Sequence, residues 1–101
     1  DVADYARKIS NAFGGKTETV EIKCKNEMRE QMFDRFGDDI RIRPADEQWF
    51  SFKVRVAQSE GLVADIISFG DAVEVLRPAE LREAVKQTIE RIYNIYNHKE
   101  Q

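Results

Sequence analysis

Cysteine, histidine and proline are nearly missing from this 101-residue chain, which has one Cys, one His and two Pro. The single thiol, Cys24, excludes an intramolecular disulfide and makes a reducing compartment, the cytoplasm, the simpler expectation. No Pro/Gly-rich linker, internal repeat or low-complexity tract divides the sequence. No apolar run approaches the ~20 residues of a transmembrane helix, and no signal-peptide pattern opens the chain, so no membrane partner is expected. A large charge of one sign is missing too. Sixteen Lys and Arg stand against nineteen Asp and Glu, a net charge of -3. That balance argues against a bulk electrostatic grip on nucleic acid or anionic membrane, but it leaves room for one locally basic face. The chain starts at Asp1 rather than Met and reads as a piece of a longer cytoplasmic protein.

What is present is enough for one core. The residues are 42% hydrophobic and include six Phe, and the 35% that are charged do not amount to a disordered composition. Val2, Tyr5, Ile9 and Phe13, spaced by three and four, form the narrow stripe of a helix that Gly14-Gly15 stops. Residues 1–17 are therefore expected to be a linker helix from a missing preceding domain, and residues 18–101 the domain proper.

Over 18–25 the period is two, with Val20, Ile22 and Cys24 facing one way and Glu21, Lys23 and Lys25 the other. Asn26 is expected to cap a helix whose Met28, Met32, Phe33 and Phe36 share a face and which Gly37 ends. Ile40 and Ile42 alternate with Arg41 and Arg43, and Pro44-Ala45-Asp46 turns the chain. Phe50, Phe52, Val54 and Val56 then alternate with Trp49, Ser51, Lys53 and Arg55, completing an antiparallel hairpin. Ser59 can cap a third helix carrying Leu62, Val63, Ile66, Ile67 and Phe69, closed by Gly70. Residues 72–76 predict a short strand with Val73 and Val75 inward. Pro78 fits the first turn of a last helix striped by Leu81, Val85, Ile89, Ile92 and Tyr96.

From the first strand onward the order β-α-β-β-α-β, followed by a helix, predicts an α+β fold. Right-handed crossovers give a ferredoxin-like split βαβ sandwich. It has a four-stranded antiparallel sheet in the order fourth, first, third, second, helices on one face, and an extra N-terminal and C-terminal helix.

Motifs for catalysis are thin. Gly15-Lys16-Thr17 resembles the end of a phosphate-binding loop, but Ser10 stands where that motif needs glycine, and the strand follows rather than precedes it. Cys24 alternates with core residues and His98 sits near the C-terminus, so no base attends a nucleophile. An acylphosphatase-type site would need a glycine-containing loop after the first strand, where Lys25-Asn26-Glu27-Met28-Arg29 stands instead. The acidic pairs Asp38-Asp39 and Asp46-Glu47 lack calcium-loop spacing, and no Cys/His cluster exists for zinc. No enzyme activity, metal or cofactor is expected.

The sheet face opposite the helices is more informative. It is expected to display Lys23, Lys25, Arg41, Arg43, Lys53 and Arg55, with Trp49 and Ser51, opposed only by Glu21 and Glu74. RNA-recognition modules stack bases on aromatics at such a face; here Lys and Arg occupy those positions and leave Trp49 and the guanidinium planes for stacking. The face then binds single-stranded nucleic acid or another anionic ligand, or it is a solvated face of cross-strand pairs, or it is covered by another domain or subunit. Tyr93 and Tyr96 on the last helix, and Val2, Tyr5 and Ile9 on the first, widen the apolar surface into core or into docking surface for a missing domain or partner subunit.

The stretch Ser68-Phe69-Gly70-Asp71-Ala72-Val73-Glu74-Val75-Leu76-Arg77-Pro78-Ala79-Glu80-Leu81-Arg82-Glu83 resembles the C-terminal signature of WYL-domain transcriptional regulators. There a helix ends at glycine, a valine-rich strand follows, and Pro-x-x-Leu-Arg opens the last helix. Ala12-Phe13-Gly14-Gly15 followed by Thr19-Val20-Glu21-Ile22 resembles the link into that module, and the likeness spans roughly residues 12 to 96. The resemblance implies the C-terminal extension, or WCX, of a bacterial regulator that also holds a winged helix-turn-helix and a ligand-sensing WYL domain. It implies a ferredoxin-like fold that helps form a homodimer, in a parent that binds DNA through another domain and answers to a nucleic-acid or small-molecule effector. Trp49 is followed by Phe50, no Trp-Tyr-Leu triplet occurs, and no DNA-reading helix precedes the module, so operator and effector residues are not carried over. The reading is a non-catalytic regulatory and dimerisation module that transmits effector state to the DNA-binding domain; the alternative is a ligand-binding module using its basic face.

Overall fold

The computed structural model describes residues 17–37 and 40–98. The helix expected over 2–13, with Val2, Tyr5 and Ile9, lies outside the described residues, as do Asp38 and Asp39. Strand β1 (Thr17–Lys25) passes through a 3-10 turn (Asn26–Met28) into helix α1 (Arg29–Phe36). Strands β2 (Arg41–Pro44) and β3 (Trp49–Ala57) form the hairpin. Helix α2 (Glu60–Ser68), a second 3-10 turn (Gly70–Ala72), strand β4 (Val73–Arg77) and helix α3 (Ala79–Asn97) complete the chain. The fold is α+β, with three helices and a four-stranded antiparallel sheet in the order β2-β3-β1-β4, which is the order the sequence predicts.

Register explains where the core lies. Val20, Ile22 and Cys24 pair laterally with Val54, Phe52 and Phe50, and Ile22 and Cys24 pair on the other side with Val75 and Val73. Cross-strand partners share a face, so these side chains form one apolar surface. Met28 and Met32, Leu62, Val63 and Ile66, and Leu81 of α3 close over it in a single cluster. The helices therefore cover one side of the sheet and leave the other open.

Local signals place the helix ends. Ser59 Oγ accepts from Leu62 N at 3.2 Å, the N-cap expected from the sequence. Gly37 and Gly70 take φ of 104° and 66°, left-handed values that a side chain resists, and each ends its helix.

Other details differ. Asn26 does not cap α1. Its side-chain amide donates to the Glu47 carbonyl at 3.0 Å while its backbone N–H donates to Gln48 O at 2.9 Å, tying the start of the helical segment to the hairpin loop. Pro78 precedes α3 rather than entering its first turn: with ψ of 168° it is extended, and its carbonyl accepts the helix's first bond from Arg82 N. β2 begins at Arg41, with buried Ile40 just before it. The α3 stripe is only partly core, because Leu81 is fully buried and Val85 half-buried but every residue from Ile89 to His98 is exposed. Among the described residues no helix is long and apolar enough to cross a membrane.

Candidate functional site

The open sheet face carries the residues expected on it, in two rows set by the register. Arg43, Ser51, Lys23 and Glu74 stand side by side across β2-β3-β1-β4; one pleat along come Arg41, Lys53, Glu21 and Arg77. Lys25 lies opposite Trp49, and Arg55 opposite Thr19. Arg41, Arg43, Lys53 and Arg55 are exposed, while Lys23, Lys25 and Trp49 are half-buried.

Two residues that sequence reasoning missed change the electrostatics of this face. Glu21, the acid level with Lys53, is engaged from its other side by Arg77 at 3.7 Å. Glu74 is held by Arg82 of α3 at 2.7 Å. The two carboxylates that were to offset the six cations are thus drawn to two further arginines. Among the described residues no ion pair reaches Lys23, Lys25, Arg41, Arg43, Lys53 or Arg55. Arg41 and Lys53 stand directly opposite each other, a like-charge cross-strand pair that costs a few tenths of a kcal/mol to about 1 kcal/mol.

Trp49 is not a bare platform. The Lys23 and Lys25 ammonium groups lie 5.2 and 5.9 Å from its ring centroid, within cation–π range. Its strand start is fixed by Asp46, whose Oδ1 accepts from Gln48 N at 2.8 Å and Trp49 N at 3.0 Å. One member of the Asp46-Glu47 pair is thereby a turn former. Arg55 Nη2 donates to the Thr17 carbonyl at 3.4 Å. Where β2 begins, a cleft of about 620 Å³ opens beside β3, lined by Glu21, Arg41, Arg43, Lys53 and Arg55 and, on its apolar side, by Phe36 and Ile40. Its apolar side was not foreseen, because alternation assigns Phe36 and Ile40 to the core and does not show that Phe36 is left half-buried beside the short β2.

The second candidate surface is the outer half of α3. Tyr93 is 62% exposed and Tyr96 85%, and they are joined by Ile89, Ile92 and Ile95. The expected interface tyrosines are therefore joined in exposure by Ile89 and Ile92 of the expected stripe and by Ile95. Val2, Tyr5 and Ile9 lie outside the described residues.

Nucleophilic chemistry finds little to work with. Cys24 is fully buried, and burial pushes its thiol from 9.0 up to about 12, so it is protonated at neutral pH. His98 is exposed beyond the end of α3. Among the described residues no group of three or more His, Cys, Asp and Glu side chains is placed to hold a metal ion.

The Pro78-Ala79-Glu80-Leu81-Arg82 run acts as a lock between β4 and α3. Pro78 marks the boundary, Leu81 inserts into the core with no exposed surface, and Arg82 Nη1 reaches back to the Glu74 carboxylate and, at 2.7 Å, to the Val75 carbonyl. The signature thus fixes the direction in which α3 leaves the sheet. No curated protein matches the chain. A family model described as the WCX domain matches residues 16–93, which include the whole sheet, the lock and most of α3, and the chain belongs to the WCX domain family.

Proposed function

We propose that this WCX domain is a non-catalytic regulatory and dimerisation module of a WYL-type bacterial transcriptional regulator. It acts in the cytoplasm, carrying effector state between subunits to a DNA-binding domain elsewhere in the parent protein. The β-α-β-β-α-β order and the 2-3-1-4 sheet support a ferredoxin-like split βαβ for it. The observation that carries the reading is the outer half of α3: five large apolar side chains are exposed on one helix that is rigidly anchored at its other end. Such a patch marks an interaction surface. In the full-length regulator, Ile92→Asp/Tyr96→Asp is expected to leave the fold intact while lowering the dimer mass in light scattering and abolishing the response of a promoter reporter. Unchanged dimer mass with an unchanged reporter would sink the reading.

A second reading has its own observation. Six cations lack an ion-pair partner among the described residues because Glu21 and Glu74 are engaged by Arg77 and Arg82. That face then takes single-stranded nucleic acid or another anionic ligand. Fluorescence anisotropy of labelled single-stranded DNA and RNA at two salt concentrations decides it, with Lys53→Glu/Arg55→Glu in parallel. Salt-sensitive binding that the variant loses supports the second reading; no binding at low salt removes it.

A further inference from the structure

The cleft at the start of β2 joins two kinds of wall. β2 begins at Arg41, level with Lys53, so the β2–β3 ladder stops short of Val54 and Arg55. There the cleft of about 620 Å³ has Arg41, Arg43, Lys53 and Arg55 on one side, and Phe36, Ile40 and Val54 on the other. The apolar wall is anchored in the core: the Phe36 ring lies 5.6 Å from that of Phe52, which is 1% exposed, and Ile40 is itself buried. The cations are uncommitted. Among the described residues none of the four has an ion pair, and Glu21, the carboxylate in the lining, is engaged by Arg77 at 3.7 Å. Arg41 and Lys53 stand opposite each other, like charges whose repulsion an anion between them would relieve.

We infer that this cleft binds an amphipathic organic anion, its acidic head held between Arg41 and Lys53 and its ring or branched apolar body laid against Phe36, Ile40 and Val54. This rests on the reading of the basic face as an anion-binding surface, and adds the place and the class of ligand. The volume falls in the range of small-molecule sites, and a few polar groups converging on an apolar wall are their typical composition. A guanidinium grips an acidic head through two parallel N–H bonds, while the lysine adds a point charge. Single-stranded nucleic acid fits this cleft less well. Its charges repeat along a chain, and its bases stack on open aromatic faces. Trp49, the aromatic of the open face, is not one of the cleft's walls, and Lys23 and Lys25 already lie 5.2 and 5.9 Å from its ring centroid.

Head and body can be tested separately on the 101-residue chain. Anilinonaphthalene sulfonate has both, phenylnaphthylamine keeps the body alone, and methanesulfonate keeps the head alone. Anilinonaphthalene sulfonate is expected to move the amide NMR signals of Phe36, Ile40, Arg41, Lys53 and Arg55, and to bind more weakly as salt rises. Phenylnaphthylamine, read by its fluorescence, and methanesulfonate, read by displacement of the sulfonate probe, are each expected to bind roughly tenfold more weakly or worse. Arg41→Gln/Arg43→Gln alters two exposed residues with no ion pair to lose among the described residues, and is expected to keep the circular dichroism spectrum. It should lower affinity for the sulfonate probe roughly tenfold or more and leave that for phenylnaphthylamine unchanged.

Shifts confined to the exposed apolar residues of α3, or equal affinity of the variant and the unmodified chain for the sulfonate probe, would overturn the inference. If that happens while single-stranded DNA or RNA still binds in a salt-sensitive way, this class of ligand alone is lost and the anion-binding reading of the face stands. If nucleic acid fails to bind as well, both fall.

Discussion

The core position of Cys24 has a consequence that can be measured as a pH dependence. The residue has no exposed surface, and it lies between Phe50 on β3 and Val73 on β4. In the unfolded chain its thiol ionises near 9.0; in the fold, burial pushes that value up to about 12, because a thiolate there would lose its water and gain no partner. The folded value lies above the unfolded one, so the native state holds a proton that the unfolded state has already released. The contribution of the protonated thiol is complete below pH 9 and is lost as pH rises from 9 towards 12, at ~1.4 kcal/mol per pH unit. By pH 10.5 the loss is about 2 kcal/mol, a large share of the ~5–15 kcal/mol that holds a typical domain together. Cys24→Ala removes the effect at the cost of a small cavity, about 1–2 kcal/mol at neutral pH. The two proteins share every other ionisable group, so those contributions cancel in the difference. Urea unfolding of both chains at pH 7, 9, 10 and 10.5 should show the wild type more stable at neutral pH, the gap narrowing above pH 9 and closing near 10–10.5. A gap that stays constant to pH 10.5 would refute the burial of the thiol.

Three smaller perturbations test the rest of the frame. Ser59→Ala removes the cap on Leu62 N and should cost about 1 kcal/mol in urea unfolding, while no change would mean that water replaces the cap without loss. Leu81→Ala empties a fully buried site where α3 meets the core and should cost about 2–5 kcal/mol; a loss under about 1 kcal/mol would mean that the lock is not seated. Lys53→Glu/Arg55→Glu relieves the like-charge pairing of Lys53 with Arg41 but sets a carboxylate opposite Glu21 and removes the Arg55 bond to the Thr17 carbonyl, small opposing effects that should leave the unfolding midpoint in urea almost unchanged.

The sheet was legible because its strands are half-buried. Val20-Glu21-Ile22-Lys23-Cys24 and Phe50-Ser51-Phe52-Lys53 alternate cleanly, and the alternation fixes both the core face and the open face. Ser59 and Gly37 were legible because caps are local chemistry. Asn26 was misread for the opposite reason: its amide finds a carbonyl 21 residues away, and nothing in its neighbourhood announces that contact. The carboxylates were placed correctly as Glu21 and Glu74, but which cations they take is a tertiary choice. Arg77 reaches Glu21 across the β1–β4 pair, and Arg82 reaches Glu74 from the first turns of α3. The stripe on α3 was legible as apolar, yet periodicity does not say where the supporting layer ends. Leu81 and Ile92 look alike in sequence, although one is sealed in the core and the other faces water.

Sedimentation equilibrium of three proteins tests the central claim most directly: the wild-type chain, Ile92→Asp/Tyr96→Asp on the helix, and Lys53→Glu/Arg55→Glu on the sheet. The account predicts that the wild type self-associates, that the helix variant is monomeric with an unchanged circular dichroism spectrum, and that the sheet variant associates like the wild type. Association that survives the helix variant and is lost in the sheet variant would contradict it, and would move the working surface of the domain from α3 to the basic face.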